Sequence, residues 1–415
     1  MKRWLALIII SYTICAESDP AKVSHALVEI YANYVLRTYE GVDLKIGSGV
    51  GVVVHRKEKI IATLMVNLHD SFYPCLHIKF SNGLVVKGTV IYKDPVLGFA
   101  FIRVPELPNQ ARAIPFVQSD ELSSGWFYTT IMDFASSWCA NPVSLIFSPR
   151  LRLRSFRFLK VVEESLYGGA IFSKDGSLIG LKGNGSIMDA LYVPASFIRD
   201  ALNEVLRDSS YRPYYLDVQT QTISFTQALQ GNFFSDDLCA LIRDMNVSVL
   251  EMVMISNIDA LKVGDIILKV DEQPVTHYLS LVHATRRRPN VSLEVVRDGK
   301  RQHIHLALQQ FSCDCEGVLC CNEITYFYMN PFLVFKYPNY RVGSLLCRRD
   351  AYNAYLAHLY GRRGHYVYRA RVDAVKNAPA SMRDLADMLD RGVLLTIERR
   401  PQSAERLFFS NRGAV

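Results

Sequence analysis

The sequence lacks low-complexity tracts, long blocks of like charge and any apolar run that could cross a bilayer, and each absence removes a class of protein. Without low-complexity tracts, and with 50% hydrophobic and 21% charged residues, every part of the 415-residue chain has enough apolar material to fold. That length exceeds one ordinary core and suits about three domains of roughly 100 to 200 residues each. The basic residues behind the net charge of +7 are spread out, with short clusters only at Arg150, Arg152 and Arg154 and at Arg286 to Arg288, so no nucleic-acid partner is expected. The first cluster alternates with Leu151 and Leu153, the period of a strand with one wet face. The second, just before Pro289 and Asn290, predicts a solvated helix end, where cations suit the C-terminal dipole.

The N-terminal apolar run, Trp4 to Ile14, is broken by Ser11, Tyr12 and Thr13 and is shorter than the about 20 residues of a spanning helix. With Lys2 and Arg3 before it and Cys15-Ala16-Glu17 after it, residues 1–16 have the layout of a cleavable secretory signal. No membrane span would remain after cleavage, and a buried first strand is the alternative reading. Loss of Cys15 from the nine cysteines would leave eight, an even number compatible with disulfides in an oxidising compartment. Sequons at Asn184, Asn246 and Asn290 would be glycosylation candidates there.

Paired C-x-x-C spacing is also missing. The run Cys313-Asp314-Cys315-Glu316-Gly317-Val318-Leu319-Cys320-Cys321 offers C-x-C and C-C instead, which favours disulfides or buried thiols over zinc. His303 and His305 share one face of a predicted strand but have no third ligand, so neither metal nor other cofactor is expected.

What is present is mostly β patterning. Short runs at Val50–Val54, Lys59–Thr63, Leu76–Phe80, Leu84–Ile91 and Phe99–Val104, with Ser81-Asn82-Gly83 as a turn, indicate a barrel or sandwich. A second β-rich set runs from Trp126 to Val193, and Phe197, Ile198, Ala201, Leu202 and Val205 have helical spacing. The pattern then turns to mixed α and β, with the main boundary at 208–224 and a predicted helix over 236–245. Two further units follow, about 225–310 and 325–410, the second with a helix over 381–389 and a strand over 393–399.

Four motifs carry a family resemblance. Gly47-Ser48-Gly49-Val50-Gly51-Val52-Val53-Val54, followed by Ile60-Ile61-Ala62-Thr63-Leu64-Met65-Val66, resembles the first strands of the HtrA/DegP serine proteases up to their catalytic histidine. Val90-Ile91-Tyr92-Lys93-Asp94-Pro95-Val96-Leu97-Gly98-Phe99-Ala100-Phe101-Ile102 resembles the segment bearing the triad aspartate, and looks most like the fungal pro-apoptotic nuclear HtrA-type protease, with its tandem protease and PDZ units. Ser165-Leu166-Tyr167-Gly168-Gly169-Ala170-Ile171-Phe172, then Asp175-Gly176-Ser177-Leu178-Ile179-Gly180, resembles the nucleophile loop and its hairpin. Leu261-Lys262-Val263-Gly264-Asp265-Ile266-Ile267 resembles the Gly-Asp-x-Ile signature of HtrA-type PDZ domains, with the later helix at 280–286 and a closing hairpin at 291–297 and 301–306.

The resemblance implies a mainly β fold: a chymotrypsin-like double β-barrel over 25–207, a PDZ domain over 225–310 and a degenerate, structural PDZ-like domain over 325–410. It also implies that the triad is lost. The histidine position falls on Val66, or on Met65 after a one-residue shift; the aspartate position falls on Gly98 and the nucleophile position on Tyr167. Ser165 replaces the glycine whose N–H helps form the oxyanion hole, and Asp94 matches a structural aspartate at the turn. Peptide hydrolysis of this type needs a hydroxyl nucleophile, an imidazole base and an orienting carboxylate. Losing triad members lowers turnover by about 10⁴- to 10⁶-fold, or about 5.5 to 8 kcal/mol of barrier.

A tyrosine nucleophile would need an activating base for a phenol whose pKa is about 10. His69 and His77 do not match the histidine position and read as surface or loop-anchoring residues. The expectation is therefore a pseudoprotease that binds peptides or unfolded proteins through the first PDZ groove, with homo-oligomerisation implied by the resemblance. An active HtrA-like endopeptidase and a structural subunit of an active paralogue are the alternatives. The N-terminus points to the secretory pathway and the resemblance to the nucleus.

Overall fold

β-Branched and aromatic residues fill the runs from Leu27 to Arg103, and in this computed structural model they form strands throughout. It describes residues 23–38, 41–68, 75–118, 125–129, 137–142, 159–161, 169–173, 175–182, 192–226, 239–240, 242–243, 249–256, 258–276, 278–310, 318–321, 324–328, 344–349, 372–376, 378–379, 381–391 and 395–398. The signal-like residues 1–16, the arginines at 150, 152 and 154, and Asn184 and Asn246 lie outside them.

The first six strands are β1 (Leu27–Thr38), β2 (Gly41–His55), β3 (Ile60–Leu64), β4 (Cys75–Phe80), β5 (Val85–Asp94) and β6 (Phe99–Arg103). They pair in the order β2-β3-β6-β5-β4-β1, and β1 pairs again with β2, so this antiparallel sheet closes on itself as a barrel. Closure pairs both sides of β1 over Val28–Asn33, which leaves no open edge there. Side chains alternate across each strand. One set, including Ile30, Val53, Ile61, Ile78, Phe80 and Ile102, forms one core cluster. The alternate set, including Val52, Ile60, Ala62, Tyr92, Phe99 and Phe101, joins a second cluster with later elements. Burial on both faces is why β3 reads as an unbroken buried run.

The second set comprises β7 (Gly125–Thr129), β8 (Ser137–Pro142), β9 (Leu159–Val161), β10 (Gly169–Phe172), β11 (Leu178–Lys182) and β12 (Tyr192–Pro194). These form an antiparallel sheet in the order β12-β11-β10-β7-β8-β9. Its two end strands, β12 and β9, do not pair with each other among the described residues. Helix α1 (Ala195–Arg207) covers the sheet, burying Phe197, Ile198, Ala201, Leu202 and Val205 as the spacing predicted.

The next unit holds β13 (Tyr214–Tyr215), β14 (Val218–Ser224), β15 (Val249–Ser256), β16 (Ile266–Val270), β17 (Gln273–Pro274), α2 (Tyr278–Thr285), β18 (Asn290–Arg297), β19 (Lys300–Ala307) and β20 (Gln309–Gln310). Its antiparallel sheet runs β14-β15-β16-β18-β19, with β17 on β16, while β13 pairs with β20. The sheet begins at Val218, within the expected boundary region 208–224. Tight hairpins use residues that enter the left-handed region: Asp271 and Glu272 at φ 45° and 67°, and Asp298 and Gly299 at 51° and 72°.

Five short strands and a helix follow: β21 (Val318–Cys321), β22 (Ile324–Tyr328), β23 (Leu345–Arg349), β24 (Val372–Lys376), α3 (Met382–Asp390) and β25 (Thr396–Glu398). Ser381 caps α3 by accepting from the Asp384 N–H. β21 lies parallel beside β1 at Arg37 and Cys321, so this sheet continues the barrel sheet outward. Cys347 is buried in this unit's core, and Cys239 is a buried thiol in the preceding one.

Gly51 illustrates how closely the barrel is packed. A Cβ there would lie 2.7 Å from Ile61 Cγ2 and 2.9 Å from Ile30 Cδ1 and Val28 Cγ2. Gly51→Ala is expected to lower unfolding free energy by about 1 to 3 kcal/mol, because the core has no room to accept a methyl group. Val85→Thr, at a half-exposed side chain, should stay within about 0.5 kcal/mol. Urea titration of both variants checks the contrast.

Candidate functional site

The segment matched to the triad histidine leaves β3 as a single 3₁₀ turn, Met65–Leu68. Two buried polar side chains fix it. Thr63 Oγ1 donates to the Val50 carbonyl at 2.7 Å, and Asn67 Nδ2 donates to that carbonyl at 3.2 Å and to Thr63 Oγ1 at 3.1 Å. Asn67 occupies the space beside Gly49, where a Cβ would come within 2.3 Å of Asn67 Cγ. Glycine at 49 is thus what lets the asparagine tie the turn to β2.

The turn between β5 and β6 meets this segment. Gly98, at the aspartate position, has φ 77°, and its carbonyl accepts the Met65 N–H at 2.8 Å. The two segments that would carry imidazole and carboxylate therefore lie side by side, joined through backbone. Met65 is buried and Gly98 has no side chain, so neither supplies a proton acceptor there. Val66 lies in the same turn; Ser165, Tyr167 and His69 lie outside the described residues. His77 is mid-strand on β4, opposite Tyr31 and Lys87, and His303 and His305 are exposed on β19.

Asp94 shapes the turn from within. Its Oδ1 accepts the N–H groups of Val96 and Leu97 at 3.1 and 3.0 Å, and its Oδ2 accepts the Tyr92 hydroxyl at 3.1 Å. The same oxygen receives Arg286 Nη2 at 2.7 Å, across 192 residues of sequence. This corrects the expectation that Arg286 to Arg288 end a helix in solvent. Arg287 and Arg288 are exposed, but Arg286 is 2% accessible, because a fully buried carboxylate draws it inward. Burial pushes the Tyr92 phenol well up, and the nearby Asp94 charge adds to the effect. For Arg286 burial pulls the other way, but Asp94 more than offsets it and the guanidinium pKa rises.

In the following unit, the Gly-Asp pair is a structural clamp. Gly264 turns at φ 94°, and buried Asp265 accepts the Lys262 N–H at 2.8 Å and both Nε and Nη2 of Arg297, at 2.8 and 2.6 Å. Helix α2 packs against β14 and β16. β14 is an end strand whose outer edge pairs with no described strand, and Thr220 on it is buried with a hydroxyl lacking a hydrogen-bond partner. An open strand edge beside a helix can accept an extended peptide through main-chain hydrogen bonds. Composition gave no sign of Arg286 or Thr220; only the compact Arg triplet marked the first.

No protein-family model and no curated protein matches the chain. Solved structures similar to it include the HtrA-type protease AlgW with a decapeptide, at 13% identity and TM-score 0.47, covering 70% of this chain and 97% of that one. The same protease with a tripeptide matches at 15% identity and TM-score 0.48, over 70% and 96% of the two chains. A serine endoprotease from Yersinia pestis matches at 15% identity and TM-score 0.42, over 70% and 96%. The functional reading rests on the residues themselves.

Gly98 should tolerate no return of a side chain without cost. Gly98→Val is expected to destabilise the chain by about 1 to 2 kcal/mol, the cost of placing an L-residue in the left-handed region, and Gly98→Asp by less. Denaturant midpoints of the two variants measure this.

Proposed function

We propose that this chain is an HtrA-type serine protease homologue that has lost its proteolytic chemistry and acts by binding peptide or protein segments. Gly98 carries the reading. At the position where the resemblance calls for a carboxylate there is only backbone, in a left-handed turn bonded to the Met65 N–H. With Val66 and Tyr167 at the other two positions, no imidazole is in place to take a proton and no serine hydroxyl to give one.

Binding is supported by the unit around α2, read here as a PDZ domain. Its β14 edge, with the helix alongside, offers a ligand strand the main-chain donors and acceptors it needs. The unit over 325–410, without a Gly-Asp pair, is read as a structural relative of the first. In the same reading the chain enters the secretory pathway, where Asn290, exposed at the start of β18, would be glycosylated.

The test is hydrolysis of unfolded casein by the full chain, with Tyr167→Ala and a serine-trapping inhibitor as controls, beside binding of C-terminal peptides. No turnover in any arm, with peptide binding retained, is expected. Turnover that disappears in Tyr167→Ala would sink the reading and require a tyrosine mechanism.

A further inference from the structure

We propose that the barrel, the six-stranded sheet and the α2 unit form one rigid body that folds and melts cooperatively, pinned across their boundary by Arg286. Chains of several domains ordinarily allow relative motion unless the interface is large and apolar. Here α2 belongs to two cores at once. Leu281 packs in the core of its own unit, while Tyr278, Leu279 and Val282 pack in the cluster that contains Tyr92, Phe99, Phe101 and the buried face of α1. Moving the second unit would open both.

Apolar contact supplies attraction but little orientation, and Arg286 supplies the orientation. It follows the last turn of α2, its N–H donating to the Val282 carbonyl at 3.1 Å, and its guanidinium reaches Asp94 in the barrel at 2.7 Å. Phe197 of α1 lies 5.5 Å from the guanidinium carbon, a cation–π distance. The Arg286 carbonyl accepts the Tyr214 N–H at 2.9 Å and the Tyr211 hydroxyl at 3.4 Å. Tyr211, in the connection between α1 and β13, stacks on Tyr92 with ring centres 6.1 Å apart. The residue thus ties helix, linker and barrel together. At the rim, Arg287 adds ion pairs to Asp200 and Glu204 of α1 at 3.3 and 3.4 Å.

A buried charge enforces this arrangement more strictly than an exposed one. Any displacement that separates Arg286 from Asp94 leaves a carboxylate and a guanidinium unpaired in an apolar interior, which costs far more than breaking a surface pair. The body is fixed whether or not the barrel has any activity.

Hydrogen exchange of the full wild-type chain across a urea series tests this. Amides of α2 and of β3 and β6 should open together, with one common midpoint. In Arg286→Met and Asp94→Asn that midpoint should fall and α2 should exchange ahead of the barrel strands, while the double variant, with no charge buried alone, should recover part of the loss. Separate midpoints for α2 and the barrel in the wild type would overturn the proposal, as would single variants that leave the common midpoint in place. Should either variant fail to fold, the wild-type comparison decides by itself.

Discussion

A carboxylate buried between a β-barrel and the helices packed on it must be held by donors on every side, and the way Asp94 meets that demand organises much of the chain. Two backbone N–H groups, a phenol and a guanidinium converge on its two oxygens. The backbone bonds fold the β5–β6 turn tightly enough that Gly98 enters the left-handed region and offers its carbonyl to Met65. The guanidinium comes from a different unit and brings α2 with it. One buried charge therefore sets both the local shape of the triad-equivalent region and the docking of the neighbouring sheet. Its value lies in specificity of arrangement rather than net stability, because the desolvation of such a pair consumes most of its attraction.

The turn that leaves β3 is held by packing and by internal hydrogen bonds. The 3₁₀ turn buries Met65 and turns the Asn67 amide back onto Thr63 and the Val50 carbonyl. These hydrogen bonds are internally satisfied, so the amide nitrogen is committed to structure. In the pseudoprotease reading proposed above, a single histidine or serine placed here would not rebuild an oriented set, because such groups act as a unit.

The parts legible in the sequence are those that local pattern determines. β3 shows as an apolar run because both its faces are buried; α1 shows because its five core residues recur at helical spacing; the Gly-Asp pair marks a turn because Gly264 needs positive φ. Arg286 was not legible, because its partner is 192 residues away and its neighbours Arg287 and Arg288 do face solvent. A triplet of like residues gives no hint of which one turns inward. At Gly98 the positive φ shows why a glycine suits the turn, which no local sequence pattern indicates.

The docking of α2 bears on what an open edge at β14 can do. A ligand strand added to that edge would lie against a helix whose other side is already committed to the barrel core through Tyr278, Leu279 and Val282. Such a wall cannot swing outward to admit bulk, and it loses little conformational freedom when a ligand arrives. Preorganisation of this kind raises affinity by lowering the entropy lost on binding, and it restricts ligands to those that fit the existing gap. In the binding reading proposed above, the barrel would contribute to recognition without touching the ligand, by holding still the helix that does.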